Sequence, residues 1–188
     1  PWLQAFPRRV TVGKQQRQTI RILASPPAGL PDGEYWARLI VSAKAGQVPV
    51  AGVPDSGAIS VGLSLEVRTV IGVVYRKGAL TTGIELAPIR ASYAADTVAV
   101  RVPMTRTGTA AYLGTARVQL VDARGATVAE ADRAVGVYYT LDPRVDVPVD
   151  SLPAGTYKVR VSVTTNRTDL PARAALPAPA VRDSVELR

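Results

Sequence analysis

The feature that most constrains the fold is a long alternation of apolar and polar residues in the middle of the chain. Every second residue from Ile59 to Val67 is a large aliphatic residue, with Ser, Gly or Glu between them, and the alternation continues to Tyr75. Successive side chains of a strand point to opposite faces, so a period of two predicts an extended strand with one apolar face. The sequence sustains no helical period of about 3.6 residues anywhere. It therefore predicts an all-β protein.

Turn residues divide the second half of the chain into short strands. The 15 prolines and 15 glycines are scattered between apolar runs, as in proteins that turn repeatedly. Apolar runs predict seven strands, near residues 84–89, 97–102, 114–121, 128–133, 144–149, 157–164 and 181–187. Seven short strands are typical of an immunoglobulin-like antiparallel β-sandwich. Because the pattern restarts at Thr82, we predict two tandem immunoglobulin-like sandwich domains, over 1–81 and 82–188.

The first half has a looser pattern. Short apolar runs at 10–12 and 19–23 flank the polar stretch 13–16 and predict a hairpin. A loop rich in proline and glycine follows, and then a predicted strand over 34–42. A long connection without a clear pattern leads from this strand into the alternating segment, so we expect a long loop directly before it.

The sequence has no cysteine and no histidine. Without cysteine the chain has no disulfide, no thiol nucleophile and no Cys-based metal site. Without histidine it lacks the commonest general base and the commonest transition-metal ligand. Neither a phosphate-binding glycine loop nor the Ser motif of the α/β-hydrolases occurs in the sequence. We therefore expect a protein that is not an enzyme and that uses no cofactor and no metal.

One spaced set of acidic residues bears on calcium binding. Asp142, Asp146 and Asp150 carry the oxygen ligands that calcium prefers. Valines at alternate positions between them favour a strand whose outer face is polar. The spacing therefore predicts a strand in this region and not a metal site.

The net charge is +8, and most of the excess lies in the first half of the chain. A basic surface attracts nucleic acid and anionic membranes. The arginines, however, are spread through alternating segments without a run and without interleaved aromatic residues. No stretch approaches the roughly 18 apolar residues of a membrane span, and no signal-peptide pattern occurs. We expect neither nucleic-acid binding nor direct membrane insertion.

Three segments of the first half carry a family resemblance. They are Gln18-Thr19-Ile20-Arg21-Ile22, Gly33-Glu34-Tyr35-Trp36-Ala37-Arg38-Leu39 and Ile71-Gly72-Val73-Val74-Tyr75-Arg76. In their order and spacing these segments resemble the amino-terminal domain of the periplasmic chaperones of the chaperone-usher pathway, over roughly residues 8 to 80. Pro1 falls about a third of the way through the domain of that family, so the first domain is expected to lack its initial strands.

The resemblance implies a function in pilus assembly. Chaperones of this family lend a strand to a pilin subunit that lacks its own last strand, which is β-augmentation by donor-strand complementation. The positions carried over as the donor strand are Ile59, Val61, Leu63, Leu65 and Val67. The resemblance implies a periplasmic location and pilin-like protein subunits as partners, with an outer-membrane usher as a further candidate partner.

The resemblance also suggests charged positions. The family anchors the terminal carboxylate of the subunit with an Arg and a Lys, and Gly72 stands at the position of that Lys. Arg68 and Arg76 flank Gly72 and are the candidate carboxylate anchors of this chain. Arg21 and Glu34 resemble a pair that the family uses as an ion bridge at the junction of its domains.

Two alternatives to the chaperone function stay open from the sequence. The alternating side chains of the predicted donor strand could face the core of their own sandwich, as in many antiparallel strands. The chain would then be a cell-surface or filament structural module with immunoglobulin-like domains and no chaperone activity. A carbohydrate-binding sandwich is a third class, for which Trp2 and Trp36 are the only tryptophans able to stack on a sugar.

Overall fold

The computed structural model describes residues 2–44 and 65–187, and within these residues it contains strands and turns but no helix. Every pair of neighbouring strands is antiparallel. The all-β class predicted from the alternation is therefore confirmed. The chain forms two compact units, Pro1–Asp32 and Gly33–Arg188.

The Pro1–Asp32 unit contains one pair of strands. Strand β1, Leu3–Phe6, pairs with β2, Arg21–Ala24, from Leu3 opposite Ala24 to Phe6 opposite Arg21. Strand β2 overlaps the predicted run 19–23, but its partner precedes the predicted run 10–12, which forms no strand. The turn predicted at 13–16 is present, since the N–H of Gln16 donates to the carbonyl of Gly13 over 3.1 Å. Pro7 follows β1 directly and has no N–H to continue a ladder, which is consistent with β1 ending there.

The Gly33–Arg188 unit begins with two long strands. Strand β3, Gly33–Lys44, pairs with β4, Glu66–Lys77, over twelve residues each, and we call this pair the ribbon. The register runs from Gly33 opposite Lys77 to Lys44 opposite Glu66, without a bulge. Because β4 starts at Glu66 in the described chain, its sequence is the second part of the long alternation.

Ten shorter strands follow the ribbon, and we call them together the sandwich. They are β5 Thr82–Leu86, β6 Arg90–Ala94, β7 Thr97–Arg101, β8 Met104–Gly108, β9 Tyr112–Val121, β10 Thr127–Val137, β11 Thr140–Leu141, β12 Arg144–Pro148, β13 Tyr157–Thr164 and β14 Val181–Leu187. One layer is a four-stranded sheet in the order β10-β9-β13-β14. The other layer consists of two three-stranded sheets, β11-β8-β5 and β12-β7-β6.

The domain boundary predicted near residue 81 falls in a short connection. Strand β4 of the ribbon ends at Lys77, and β5 of the sandwich begins at Thr82. Gly78 turns the chain there with a φ of 70°, a left-handed conformation that favours glycine. The ribbon and the sandwich belong to the same compact unit. The division of the chain into two domains at residue 81 stays a prediction.

Valine dominates the core between the two layers of the sandwich. Strands β9, β12 and β13 alternate buried and more exposed residues, as expected when one face of each strand packs on the opposite layer. The fully buried large side chains include Val98, Val100, Val118, Leu120, Val147, Val159 and Val161. Burial of one such side chain contributes about 1.5 to 3 kcal/mol. This core, and not a disulfide, holds the two layers together.

Prolines divide the second layer along one line. Pro88 lies between β5 and β6, Pro103 between β7 and β8, and Pro143 between β11 and β12. A proline gives no N–H to a ladder, so each strand of the layer is interrupted at this point. The halves are still tied across the line, because the N–H of Ala87 donates to Pro103 and that of Val102 to Pro143. We call this line the proline crease.

Replacement of Tyr112 by phenylalanine is expected to raise the free energy of unfolding by about 1 kcal/mol, because an unpaired buried hydroxyl costs on the order of 1 to 3 kcal/mol. Tyr112 is fully buried, and its Oη atom has no hydrogen-bond partner among the described residues. Chemical denaturation at neutral pH measures the difference. A less stable Tyr112→Phe variant would contradict this assignment.

The same tyrosine gives the fold a sensitivity to alkali. Burial raises the pKa of Tyr112 from 10.0 to about 12. In the unfolded chain the phenol ionises near pH 10, but in the folded protein it stays neutral to about pH 12. The free energy of unfolding therefore falls as the pH rises from 10 towards 12. The Tyr112→Phe variant should lack this part of the alkaline loss, so its advantage over the wild type should be larger at pH 11 than at pH 8, by about 1 kcal/mol.

Candidate functional site

The predicted donor strand is described at its C-terminal end. Leu65 directly precedes β4 and Val67 is its second residue, and their side chains are 62% and 52% exposed. Ile59, Val61 and Leu63 lie outside the described residues. The two described positions are thus large aliphatic side chains that face solvent for more than half of their surface.

Val67 belongs to a continuous apolar face of the ribbon. The residues that share this face across the register are Ala43 opposite Val67, Val41 opposite Thr69, Leu39 opposite Ile71, Ala37 opposite Val73 and Tyr35 opposite Tyr75. Val67 and Ile71 are exposed, and most of the others are half-buried. Side chains directly opposite each other pack in pairs, so this surface is continuous and mainly apolar, with the hydroxyl groups of Thr69 and of the two tyrosines as its polar groups.

The ribbon also has open sheet edges. In the described part of the chain, β4 has one neighbour in its sheet, which is β3, and β3 has no other neighbour than β4. Unpaired N–H and C=O groups along a strand are a template for another strand. Two strands alone are at best marginally stable in water, so a ribbon with an exposed apolar face gains free energy when a further strand joins it.

Glu34 and Arg76 form a nearly buried ion pair where the ribbon meets the sandwich. The Arg76 Nε atom donates to Glu34 Oε2 over 2.8 Å, and the Glu34 side chain is 3% exposed. The backbone N–H of Ala111 donates to Glu34 Oε1 over 3.1 Å. The two other nitrogens of Arg76 donate to the carbonyls of Arg173 and Ala174, each over 2.6 Å. We call this set the Glu34–Arg76 clamp.

The clamp contains two of the three charged residues Arg21, Glu34 and Arg76 that the family resemblance suggested. Both carboxylate oxygens of Glu34 are engaged within the Gly33–Arg188 unit, by Arg76 and by Ala111. Arg21, the partner expected for Glu34, begins β2 in the other unit and is exposed. Arg76, a candidate carboxylate anchor, directs all three of its guanidinium nitrogens to acceptors of its own chain. The structure thus assigns Arg76 a role in joining the ribbon to the sandwich.

Arg68, the other candidate anchor, lies near the start of β4. Its Nε atom donates to Glu66 Oε1 over 2.9 Å, and its side chain is 68% exposed. The hydrogen bond from Arg68 holds the pKa of Glu66 below its ordinary value. An exposed pair of this kind contributes little to stability and is readily exchanged for another partner. Arg68 is therefore not fixed in place by its pair with Glu66.

Aromatic residues that the sequence analysis did not single out as a group meet beside Gly72. Trp36 of β3 packs edge-on against Tyr138 and Tyr139, with ring centroids 5.3 and 6.2 Å apart. They line a pocket of about 270 Å³ that also includes Gly72 and Arg38. Arg38 lies directly opposite Gly72 in the ladder. A cationic side chain thus lies on the strand next to Gly72.

Two of the three acidic residues considered for calcium, Asp142 and Asp146, form ion pairs with arginines. Asp142 accepts from Arg90 over 3.4 Å, and Asp146 accepts from Arg144 over 2.7 Å. Across residues 2–44 and 65–187, no group of three or more acidic side chains is placed to hold a metal ion. The same residues include no helix that is long and apolar enough to cross a membrane.

The register that creates the clamp was the part of the site that the sequence did not reveal. Glu34 is the second residue of β3, and Arg76 is the last residue but one of β4. The start of one antiparallel strand lies opposite the end of its neighbour, so two such residues become a cross-strand pair. The positions of Glu34 and Arg76 within their strands could therefore have predicted the pair, but only if the two strands were already known to be neighbours. Comparison of the sequence with known proteins finds no family model that matches the chain and no matching curated protein.

Proposed function

We propose that this chain is a non-enzymatic, chaperone-like protein of the bacterial periplasm that holds a β-sandwich subunit by lending it a strand. The lending segment ends in β4, with Leu65 and Val67 as its described members and Ile59, Val61 and Leu63 before them. The partner is a pilin-like or secreted subunit with a vacant strand position. In this proposal the ribbon is the second part of an immunoglobulin-like first domain, and the sandwich is the second immunoglobulin-like domain.

The observation that carries the proposal is the exposure of Leu65 and Val67 beside an open strand edge. These side chains are 62% and 52% exposed, and β4 pairs on one side only among the described residues. A lent strand needs both features, because its main chain completes a foreign ladder while alternate side chains fill the pockets of the foreign core. If the side chains faced their own core, they would be buried.

The energetics of the contact are adequate for holding a subunit. Full burial of one Leu or Val side chain contributes about 1.5 to 3 kcal/mol. Five such positions contribute on the order of 10 kcal/mol before the cost of association is subtracted. The clamp does not compete with this use, because Arg76 and Glu34 lie at the opposite end of β4 from Val67.

Charge on the donor segment is expected to abolish subunit binding. We expect the double variant Leu65→Asp/Val67→Asp to bind a pilin subunit that lacks its last strand at least 100-fold more weakly, since each tenfold loss corresponds to about 1.4 kcal/mol. The probe is a recombinant pilin-type subunit with its last strand deleted. Light scattering reports whether the subunit aggregates, and titration calorimetry gives the affinity.

Val70→Asp is the matched control for this experiment. Val70 is 59% exposed on the same strand, but its side chain lies on the opposite face from Val67. We expect this variant to bind the subunit within about threefold of the wild type, less than 1 kcal/mol. Subunit binding that survives the Leu65→Asp/Val67→Asp exchange would refute strand lending. If that variant fails to fold when no subunit is present, the two side chains belong to the core of their own domain.

The second candidate function is a structural module of the cell surface or of a filament. It is favoured by the open outer edges of both β3 and β4 among the described residues, since a ribbon open on two sides can join copies of itself in a row. Analytical ultracentrifugation separates the two functions. A chain that stays monomeric at 100 μM and binds the subunit one to one supports the chaperone, whereas growth into long assemblies supports the structural module.

A further inference from the structure

The outer surface of the four-stranded sheet carries an open groove of about 660 Å³. Three neighbouring strands supply six polar side chains along it, which we call the Arg–Ser groove. These are Arg117 and Gln119 of β9, Arg160 and Ser162 of β13, and Arg182 and Ser184 of β14. The groove lies on the sandwich, and its use is independent of the function proposed for β4.

The register brings two arginines together on the sheet surface. Arg160 lies opposite Ser184, and Ser162 lies opposite Arg182. The two arginines are therefore diagonal neighbours across the two strands, and so are the two serines. Residues on such a diagonal are about 7 to 8 Å apart, which long side chains bridge easily. Arg117 lies opposite Ser162 on the other side of β13 and adds a third guanidinium to the surface.

Acidic groups also lie in and beside the groove, and Asp183 belongs to its lining. Asp132 accepts two hydrogen bonds from Arg117, each of 2.8 Å, and Glu130 accepts one from Gln119 over 2.9 Å. The Asp183 carboxylate accepts from the N–H of Ser184. Lys158 lies directly opposite Glu186, the remaining acidic residue of β14 on this face.

Two of the three arginines of the groove have no ion-pair partner in the described part of the chain. The structure gives the Arg160 and Arg182 side chains no ion pair and no hydrogen bond within residues 2–44 and 65–187. Most other arginines of the sandwich do have such a partner, for example Arg90, Arg117, Arg144 and Arg167. The net charge of +8 adds a long-range attraction for anions. The chemistry that complements this surface is an oxyanion that accepts from two guanidinium groups and two hydroxyls.

A second groove continues the first. It has a volume of about 550 Å³ and shares Arg117 and Ser162 with the Arg–Ser groove. Its other polar lining consists of hydroxyl and amide groups together with the paired Asp132, from Thr115, Thr164, Asn166 and Thr168. An anion site is thus followed along the sheet by a neutral polar surface. This is the pattern that a chain of sugar rings with a charged substituent would occupy.

We propose that the Arg–Ser groove binds an acidic oligosaccharide. A sulfate or carboxylate group of the sugar lies on Arg160 and Arg182, and neighbouring sugar hydroxyls contact the threonine and asparagine side chains of the second groove. Nucleic acid fits less well, because neither groove is lined by an aromatic residue on which a base could stack. A membrane surface fits less well too, because Val161 is the one large apolar residue in the lining of the two grooves.

The test uses the full chain and a heparin hexasaccharide as the acidic probe. Titration at 150 mM NaCl is expected to show binding that the double variant Arg160→Gln/Arg182→Gln weakens at least tenfold. The control variant Arg90→Gln/Arg101→Gln removes the same charge from exposed arginines of the other layer and is expected to change the affinity less than twofold. Equal losses in the two double variants would overturn the site, because the attraction would then follow net charge alone.

Three further ligands decide the chemical class. Maltohexaose is expected not to bind, and sodium sulfate is expected to bind at least tenfold more weakly than the hexasaccharide. The variant Asn166→Ala should weaken the hexasaccharide about threefold and leave sulfate unchanged. Sulfate as tight as the hexasaccharide would reduce the site to a general anion site and overturn the saccharide assignment. A thymidylate dodecamer that binds more tightly than the hexasaccharide through the same arginines would also overturn the saccharide assignment and would favour nucleic acid. Thermal unfolding confirms that each variant is folded before titration.

Discussion

Replacement of Arg76 by alanine is expected to lower the free energy of unfolding of the Gly33–Arg188 unit by about 3 kcal/mol. The change leaves the Glu34 carboxylate, whose side chain is 3% exposed, without its ion-pair partner. It also frees two carbonyl groups, of Arg173 and Ala174, that Arg76 satisfies in the wild type. A buried charge that loses its partner keeps the full cost of its removal from water, which is why the expected loss exceeds that of a surface pair.

Arg68→Ala is the control for the clamp, because Arg68 lies on the same strand and also binds a glutamate. Its pair with Glu66 is exposed, so we expect a loss of at most about 0.5 kcal/mol. Chemical denaturation of the two single variants, of Glu34→Ala and of the double variant Arg76→Ala/Glu34→Ala gives the coupling free energy. We expect the double variant to be more stable than the sum of the two single losses predicts. Equal losses for Arg76→Ala and Arg68→Ala would show that the clamp does not join the ribbon to the sandwich.

Gly114→Ala is expected to lower the free energy of unfolding by about 3 kcal/mol, the upper part of the range for overpacked cores. A Cβ atom at Gly114 would overlap the carbonyl oxygen of Thr164 and lie 2.5 Å from Cε1 of Tyr112. Neither neighbour can move easily. The carbonyl belongs to the backbone of β13, and the Tyr112 ring is fully buried in the sandwich core.

Gly136→Ala on the adjacent strand β10 is the matched control. A Cβ atom there would lie 3.4 Å from Leu113 and 3.7 Å from Tyr138, both ordinary contacts with side chains. We expect the free energy of unfolding to change by less than about 1 kcal/mol. Alanine restricts the unfolded chain more than glycine does, and this effect acts in favour of the variant. Thermal and urea unfolding of both variants provide the comparison. A Gly114→Ala protein as stable as Gly136→Ala would mean that β9 and β13 are not packed as closely as described.

The alternation of apolar and polar residues predicted most strands of the sandwich, because its central strands have one apolar and one polar face. Strands β13 and β14 have the predicted bounds, 157–164 and 181–187, and β7, β9 and β12 differ from prediction by one or two residues at an end. In these strands one face is buried in the valine core and the other is exposed. Burial on one face is the condition under which an alternating sequence is diagnostic.

Strands β6, β8 and β11 escaped prediction for identifiable reasons. Strand β8, Met104–Gly108, has four polar or small residues after Met104 and therefore shows no apolar alternation. Strands β6 and β7 are joined by a two-residue turn in which Ala95 and Asp96 have φ values of 48° and 55°. Such turns usually carry Asn-Gly or Asp-Gly, so the Ala-Asp pair gave no turn signal. Strand β11 has only two residues, which is too short for any period.

The alternation placed Leu65 and Val67 on one face of a strand, and both side chains are exposed. Their use as part of a lent strand stays a prediction. The sequence could not show which residue pairs with Glu34, because a period gives the faces of a strand but not the register between two strands. The Arg–Ser groove also depends on register, since Ser162 and Arg182, which lie opposite each other, are 20 residues apart along the chain.

The proline crease has a consequence for the behaviour of the protein at high concentration. Each of the six strands in the divided layer is five residues long or shorter. Cross-β fibrils grow from segments of about six or seven residues that contain no proline. The crease therefore leaves the folded layer without a strand edge of six or more residues to which a second chain could pair. Association of folded molecules through strand edges is expected to start elsewhere, in the longer strands of the opposite layer or in the ribbon.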